Sequence, residues 1–317
     1  MVTNVIPLGT AAALPTAERH LSALALERKG RVLLFDCGEG TQYRLLHADL
    51  ARVRVDAIFI THLHGDHCYG LPGLLSTLGL QQRRAPVTLV LPPGGRAMLT
   101  ATPGADPEGF PFPLRVREVG VDLSHTVVYE TEEAVVTARP LAHRGFAMGF
   151  RFEEHERPGR FEPEQARALG VSEGPAYGRL QNGTPVTTAD GTTVEPAQVT
   201  GPPRPGISVA YVTDTRPCDG GRALAADADL LYHDATFADD HQARARKTGH
   251  STARQAATVA HDAGARRLLL GHVSARYADP APLRQQARAV FPGAEVAEEL
   301  RRYVLDPRDK EPKSSAG

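Results

Sequence analysis

The stretch "THLHGDHCYG", Thr61 to Gly70, places three histidines and one aspartate within the six residues His62 to His67. Imidazole nitrogen and carboxylate oxygen are donors that zinc takes, and a catalytic zinc site keeps one position open for water. Histidine is neutral near pH 7 and binds a cation with little deprotonation cost. His62 and His64, two apart, can point at one centre from an extended or tightly turning segment. Asp66 and His67 follow the turn at Gly65 and can serve a second centre. A solvated loop has no use for so many ligand types in a row, so the segment is read as a metal site.

Two centres need more ligands, delivered to the same rim. Three polar residues stand directly after apolar, strand-like runs: His143 closes "VVTARPLAH", Asp214 ends "ISVAYVTD" and His272 ends "RRLLLGH". In open α/β sheets the carboxyl ends of the strands form the rim where ligands bind. Singly, each is as well read as a loop residue. Together they complete two coordination spheres with one shared carboxylate. Asp36 and Glu39 in "FDCGEGTQ" also follow a strand, and either support the ligands or contact a nucleic-acid backbone. His250 in "GHST" lies just before a helix N-terminus, a position suited to an anion, or is simply part of the cap region. Arg216 in "DTRP" and Arg276 in "SARY" offer guanidinium forks that match phosphate, although surface ion pairs explain them nearly as well.

The elements that must hold these residues follow from periodicity and punctuation. "VLLFDCG" and "VDAIFITHLH" read as strands, the second running into the histidine cluster. "GLPGLLSTLGLQQR" reads as a helix, "PVTLVLPPG" as a strand ended by Pro-Pro-Gly, and "VVYETEEAVVTARPLAH" as two antiparallel strands. From Glu153 to Pro205 the chain becomes rich in Pro, Gly and Thr, with a helix candidate in "PEQARALG" and hairpin-like pieces around Asn182-Gly183 and Asp190-Gly191. Residues 153–205 are therefore an insertion projecting from the main domain, the alternative being a floppy surface excursion. Afterwards "ISVAYVTDT", "ADLLYHDAT" and "RRLLLGH" resume the strands. Between the last two, "STARQAATVAHDAGA" is a helix capped by Ser251 or Thr252 and stopped at Gly264. Two strand-rich halves around an insertion predict an α/β chain folded as a layered α/β/β/α sandwich, a single domain over residues 1–317.

Composition excludes some classes. The 317 residues are 41% hydrophobic with a formal net charge of −1, so a core is expected and no global field for nucleic acid exists. A polyanion would have to bind through local patches, and the basic residues are overwhelmingly Arg. Cys37, Cys68 and Cys218 are odd in number and scattered, which fits a reduced cytosolic protein and no Cys-type zinc site. "MVTNVIPLGTAAALP" lacks a basic n-region and no run reaches membrane-span length, so a cytoplasmic protein without a membrane partner is expected.

"THLHGDH" resembles the signature of the metallo-β-lactamase superfamily. "LFDCGEGTQ", "THLHGDHCYGLPGLL", "YVTDTRP", "HDATF", "GHST" and "LGHVSARY" together resemble the short form of ribonuclease Z, the tRNA 3′-endonuclease family, over Leu8 to Phe291. The resemblance implies the four-layer αββα sandwich of the metallo-β-lactamase type and two zinc ions per subunit, with manganese as the alternative ion. It places His62, His64 and His143 on one ion, Asp66, His67 and His272 on the other, and Asp214 between them. It implies that Asp66 handles the proton of the attacking water. It makes His250 the general acid, oriented by an acidic residue of a "HEAT" motif. This chain reads "HDAT", with Asp234 where Glu is usual.

The implied reaction is removal of the 3′ trailer from precursor tRNA, leaving a 3′-hydroxyl. The implied partners are precursor tRNA and a second copy in a homodimer. The insertion corresponds to an arm that grips tRNA, and "EGPAYGRL" carries its Gly174-Pro175 pair. The arm is not basic, however: residues 151–204 hold six Arg and no Lys against eight acidic residues. The family loop "PxKxRN", associated with rejecting tRNA that already ends in CCA, aligns with "PTAERH". Pro15 and Arg19 match, whereas Ala17 replaces Lys and His20 replaces Asn. The alternatives are a superfamily phosphodiesterase acting on smaller substrates, to which an arm is useless, and a non-catalytic RNA-binding module, against which the intact ligand set argues.

Overall fold

The structure is a computed structural model that describes residues 2–120 and 125–307. Fourteen strands make two seven-stranded sheets. In chain order they are β1 (Thr3–Gly9), β2 (Ala23–Arg28), β3 (Arg31–Phe35), β4 (Val55–Phe59), β5 (Val87–Leu91), β6 (Leu114–Glu118) and β7 (Thr126–Glu130). There follow β8 (Ala134–Pro140), β9 (Met148–Glu154), β10 (Ser208–Val212), β11 (Leu230–Asp234), β12 (Leu268–Gly271), β13 (Glu295–Val296) and β14 (Tyr303–Leu305). One sheet runs β14-β1-β2-β3-β4-β5-β6 and the other β13-β12-β11-β10-β9-β8-β7.

Strands β3 to β6 are parallel, as are β10 to β13. Parallel strands covered on both faces read as near-continuous apolar runs: "LLLG" is one, and "VDAIF" and "VTLVL" are broken only at the half-buried Asp56 and Thr88. Between the sheets Phe35, Phe59, Phe150 and Tyr211 pack ring on ring with centroids 5.0–6.0 Å apart. Aromatic pairs of this kind add about 0.5–1.5 kcal/mol each beyond the area they bury.

Helices cover the outer faces. On the first sheet are α1 (Thr41–His47), α2 (Gly65–Cys68), α3 (Leu71–Leu80) and α4 (Gly95–Ala101), with Leu45, Leu71, Leu74, Leu75, Leu78 and Leu99 buried against strand residues such as Ile6, Leu34 and Ile58. In the insertion lie α5 (Pro163–Ala168) and α6 (Pro175–Gln181). After it come α7 (Asp219–Ala225), α8 (Gln242–Thr248), α9 (Ala253–Asp262) and α10 (Ala281–Arg288). Helix α9 turns an alanine stripe, Ala253, Ala256, Ala257 and Ala260, onto the second sheet. Thr252 caps it in a capping box with Gln255, a cap worth about 1 kcal/mol, and Gly264 in the left-handed region lies just beyond its end. The architecture is the αββα sandwich of the metallo-β-lactamase type.

The chain divides into two compact units, Met1–Glu153 with Ser208–Leu305, and Glu154–Ile207. The second has its own small core of Ala166, Val171, Leu180, Val186, Val194 and Val199. Asp190-Gly191 sits in the turn between paired strands Val186–Thr187 and Thr193–Val194, as a hairpin requires. Asn182-Gly183 does not make a hairpin: Asn182 caps the C-terminus of α6 and Gly183 adopts φ 83° beyond it. The same Asn-Gly chemistry that permits a tight hairpin turn also permits the left-handed helix stop. No helix among the described residues is long and apolar enough to cross a membrane.

Candidate active site

All seven candidate ligands leave the carboxyl ends of strands. The loop after β4 delivers His62 and His64, and α2 carries Asp66 and His67. The turn after β8 delivers His143, the turn after β10 Asp214, and the residue after β12 is His272. Asp36, Asp214 and His272 all hold left-handed backbone, with φ of 57°, 49° and 53°. Aspartate and histidine tolerate this region better than most residues, and the conformation turns each chain sharply out of its strand.

The ligand atoms form two groups that share Asp214. His62 Nε2 is 2.9 Å from His64 Nδ1 and 3.6 Å from Asp214 Oδ2, and His143 Nε2 is 3.8 Å from the same oxygen. On the other side, His67 Nε2 and His272 Nε2 are 3.3 Å apart and lie 3.2 and 3.0 Å from Asp214 Oδ1. Asp66 Oδ2 is 3.3 and 3.5 Å from the two rings. Ligands held ~2.0–2.1 Å from a tetrahedral zinc are spaced by about 3.3 Å. The donor set therefore fits a cation in each group. His143 Nε2 is moreover buried with no hydrogen-bond partner, as a ligand atom aimed at a cation would be.

For His62, His67, His143 and His272 the opposite ring nitrogens explain why Nε2 faces inward, whereas His64 turns Nδ1 toward His62. Thr61 Oγ1 lies 3.0 Å from the fully buried Asp36 carboxylate, to which it donates. It thus accepts from His62 Nδ1, also at 3.0 Å. His67 Nδ1 donates to Asp36 Oδ2 at 2.7 Å, where Tyr211 Oη donates at 3.0 Å. Thr236 Oγ1 donates to Asp234 at 2.7 Å and accepts from His272 Nδ1 at 2.9 Å. His143 Nδ1 donates to the Gly249 carbonyl at 2.9 Å. Each bond fixes a tautomer and leaves the Nε2 lone pair for the centre.

Electrostatics follow from burial and pairing. Burial opposes ionisation of Asp214, yet the imidazoles of His272, His67 and His62 hold it well below the usual carboxylate range. Asp66 behaves alike under His272 and His67. Burial pushes His62 and His143 down, toward the neutral form that a ligand needs, whereas the Asp214 and Asp36 carboxylates pull the buried His67 up. Burial pushes the Cys37 thiol up, and Cys68 up to about 12, so neither supplies a thiolate.

His250 stands beside both groups, its ring centroid 5.0 Å from His143 and 5.2 Å from His272. Its Nδ1 donates to Asp234 Oδ2 at 2.9 Å. The shorter Asp of "HDAT" thus reaches the ring directly, itself held by the Thr215 and Thr236 amides. Burial opposes a charge on His250, the Asp234 carboxylate overrides it, and the pKa rises to about 9. Arg276 stacks on Phe237 at 5.0 Å, and that ring is 6.1 Å from His250. Arg216 is exposed, its amide donating to Ala142 beside His143. Gly174, with φ 125°, and Pro175 begin α6 in the second unit, and Glu39 is exposed.

Arg19 and His20 are engaged within the protein. Arg19 Nη2 donates to the Tyr277 carbonyl at 2.7 Å and the Ser274 carbonyl at 3.4 Å, and His20 Nδ1 donates to Glu299 at 3.0 Å. Sequence reasoning missed Thr61, Thr236, Tyr211 and Glu299. The two threonines had a signal, a hydroxyl beside a ligand motif, whereas Tyr211 and Glu299 had none.

Fold and site define the class. The family model of the metallo-β-lactamase superfamily matches residues 18–220, and that of the β-lactamase superfamily domain matches residues 198–273. The chain is 73% identical to ribonuclease Z of Salinibacter ruber, over 98% of this chain and 97% of that protein. It is 47% identical to ribonuclease Z of Haloferax volcanii, over 92% of each. The crystal structure of human tRNase Z, short form, is 30% identical with a TM-score of 0.68, covering 96% of this chain and 98% of that one. The chain belongs to the ribonuclease Z family.

Proposed function

We infer that this chain is an endoribonuclease that cleaves the 3′ trailer from precursor tRNA and leaves a 3′-hydroxyl on the tRNA. The observation that carries the reading is Asp214, whose two oxygens face two separate ligand groups while His250 stands beside both. His62, His64 and His143 would hold one zinc ion, Asp66, His67 and His272 a second, with Asp214 shared. Two such ions supply Lewis acidity, lowering the pKa of water and neutralising charge that develops on the phosphoryl oxygens.

The chain's own groups do the rest. Asp66, ionised at neutral pH, orients the attacking water and takes its proton. The water oxygen bonds to phosphorus as the bond from phosphorus to the 3′ oxygen breaks. His250, its Nδ1–H fixed by Asp234, gives a proton from Nε2 to that leaving oxygen. Arg276, stacked on the Phe237 ring beside His250, and Arg216, exposed next to Ala142, would hold flanking phosphates.

Gly174 and Pro175, in the arm of residues 153–205, contact the tRNA body by shape and backbone amides rather than a broad positive field. The active form is a homodimer of two-zinc subunits acting in the cytoplasm, which agrees with three free cysteines.

The test is incubation of the metal-loaded protein with 3′-extended tRNA transcripts, with and without an encoded CCA, followed by mapping of the new ends. A single cut leaving a 3′-hydroxyl on the tRNA is expected. Because Arg19 and His20 are tied up within the protein and Ala17 has no polar group, the CCA-bearing precursor is expected to be cut within about tenfold of the other, about 1.4 kcal/mol in barrier. Cleavage of small phosphodiesters without cleavage of either transcript would refute the reading.

A further inference from the structure

Glu299 lies between β13 and β14, outside every motif that carries a ligand. Its side chain is only 8% exposed, and five donors converge on its carboxylate. Oε1 accepts the Thr10 amide at 3.0 Å, the Thr10 hydroxyl at 3.2 Å and the His20 amide at 2.7 Å. Oε2 accepts His20 Nδ1 at 3.0 Å and Arg44 Nη2 at 2.9 Å. A buried carboxylate satisfied this fully fixes the groups around it.

The segment it fixes, Thr10 to His20, touches one ligand group at two points. The Ala13 amide, on a left-handed backbone with φ 59°, donates to Asp66 Oδ2 at 2.9 Å. Val273, next to His272, donates to the Thr10 carbonyl at 2.7 Å, and Ala11–Ala12 pair in parallel with Val273–Ser274. Arg19 then clasps the carbonyls of Ser274 and Tyr277. Asp66 and His272 come from different sheets, and this strap joins them. The hydrogen bonds that orient His62 and His143 run instead to Thr61 and to Gly249.

We propose that Glu299 is a positioning residue for the Asp66/His67/His272 metal position, acting through the Thr10–Ala13 strap. The inference rests on the two-metal reading. Without the carboxylate the strap loses its anchor, the Ala13 amide leaves Asp66 free to rotate, and the chain just after His272 loosens. The His62/His64/His143 position is untouched.

The experiment is zinc titration of the full-length wild-type, Glu299→Ala, Glu299→Gln and Glu299→Asp proteins against a chromogenic chelator, with kcat and KM on a precursor transcript. Wild type should bind two ions. Glu299→Ala should keep one at wild-type affinity and bind the other about tenfold or more weakly, the usual scale for losing a group that orients ligands. Its kcat should fall while KM changes less than about twofold, as for a group that acts on the chemical step alone. Glu299→Gln, which retains an acceptor for the Thr10 and His20 amides, should recover most of that affinity.

Two tight ions in Glu299→Ala, equal weakening of both, or a Gln variant no better than Ala would overturn the proposal. If Glu299→Ala does not fold, Glu299→Asp decides: selective weakening of one ion supports the proposal, and unchanged binding sinks it. A wild-type protein binding fewer than two ions removes the two-metal reading and this inference with it.

Discussion

Asp36, Asp214 and His272 each hold a left-handed backbone at a strand end. Such conformations cost about 1–3 kcal/mol apiece and persist where surrounding bonds over-determine them. For Asp36 those bonds come from Thr61, His67 and Tyr211. Asp214 is the residue whose loss should be felt on both sides. Asp214→Ala is expected to lose both ions, read by metal analysis of the purified variant, and two retained ions would remove it from the shared position. His250→Ala should behave oppositely, keeping its metal while losing on the order of 10²-fold in rate, as for a general acid. A metal-free or unfolded His250→Ala would make His250 a structural cap residue instead.

At the scale of elements, the junction of α2 and α3 sets where Asp66 and His67 stand. The Gly70 amide donates to the Cys37 carbonyl at 2.9 Å, and the Cys37 amide to the His67 carbonyl at 2.8 Å. This stitches the junction to the loop after β3. A Cβ on Gly70 would overlap the Gly38 carbonyl oxygen, a backbone atom that cannot swing aside. Gly70→Ala is therefore expected to cost about 1–3 kcal/mol, as overpacking does. At about 2–4 °C per kcal/mol, a thermal melt resolves that loss. Zinc affinity should fall with it, and an unchanged melt would mean that the junction has slack.

For the whole molecule, the ligands and His250 all belong to one unit, and residues 154–207 form another with its own core. Replacing Glu153 to Pro205 by a short Gly/Ser linker should raise KM for precursor tRNA strongly and leave hydrolysis of a small chromogenic phosphodiester nearly unchanged. Equal losses on both substrates would make the segment structural rather than a grip for RNA.

The sequence by itself determined the layered fold and the ligand candidates, because strand runs are local and the residues that end them mark the rim. His62 to His67 were legible as a cluster, and His143, Asp214 and His272 as strand-end partners, although their division between two ions came from family resemblance. Asn182-Gly183 was misjudged, since its chemistry serves a helix stop as well as a hairpin. Only the tertiary structure decided which nitrogen of His62, His67, His143 and His272 faces the centre. That depends on Thr61, Thr236, Gly249 and Asp36 meeting the far side of each ring, and on Tyr211 reaching Asp36 across 175 residues of sequence. Glu299 meets Thr10 across 289 residues. Contacts of this kind arise from how two sheets and their loops pack, and packing leaves no spacing or periodicity in the chain for a reader to find.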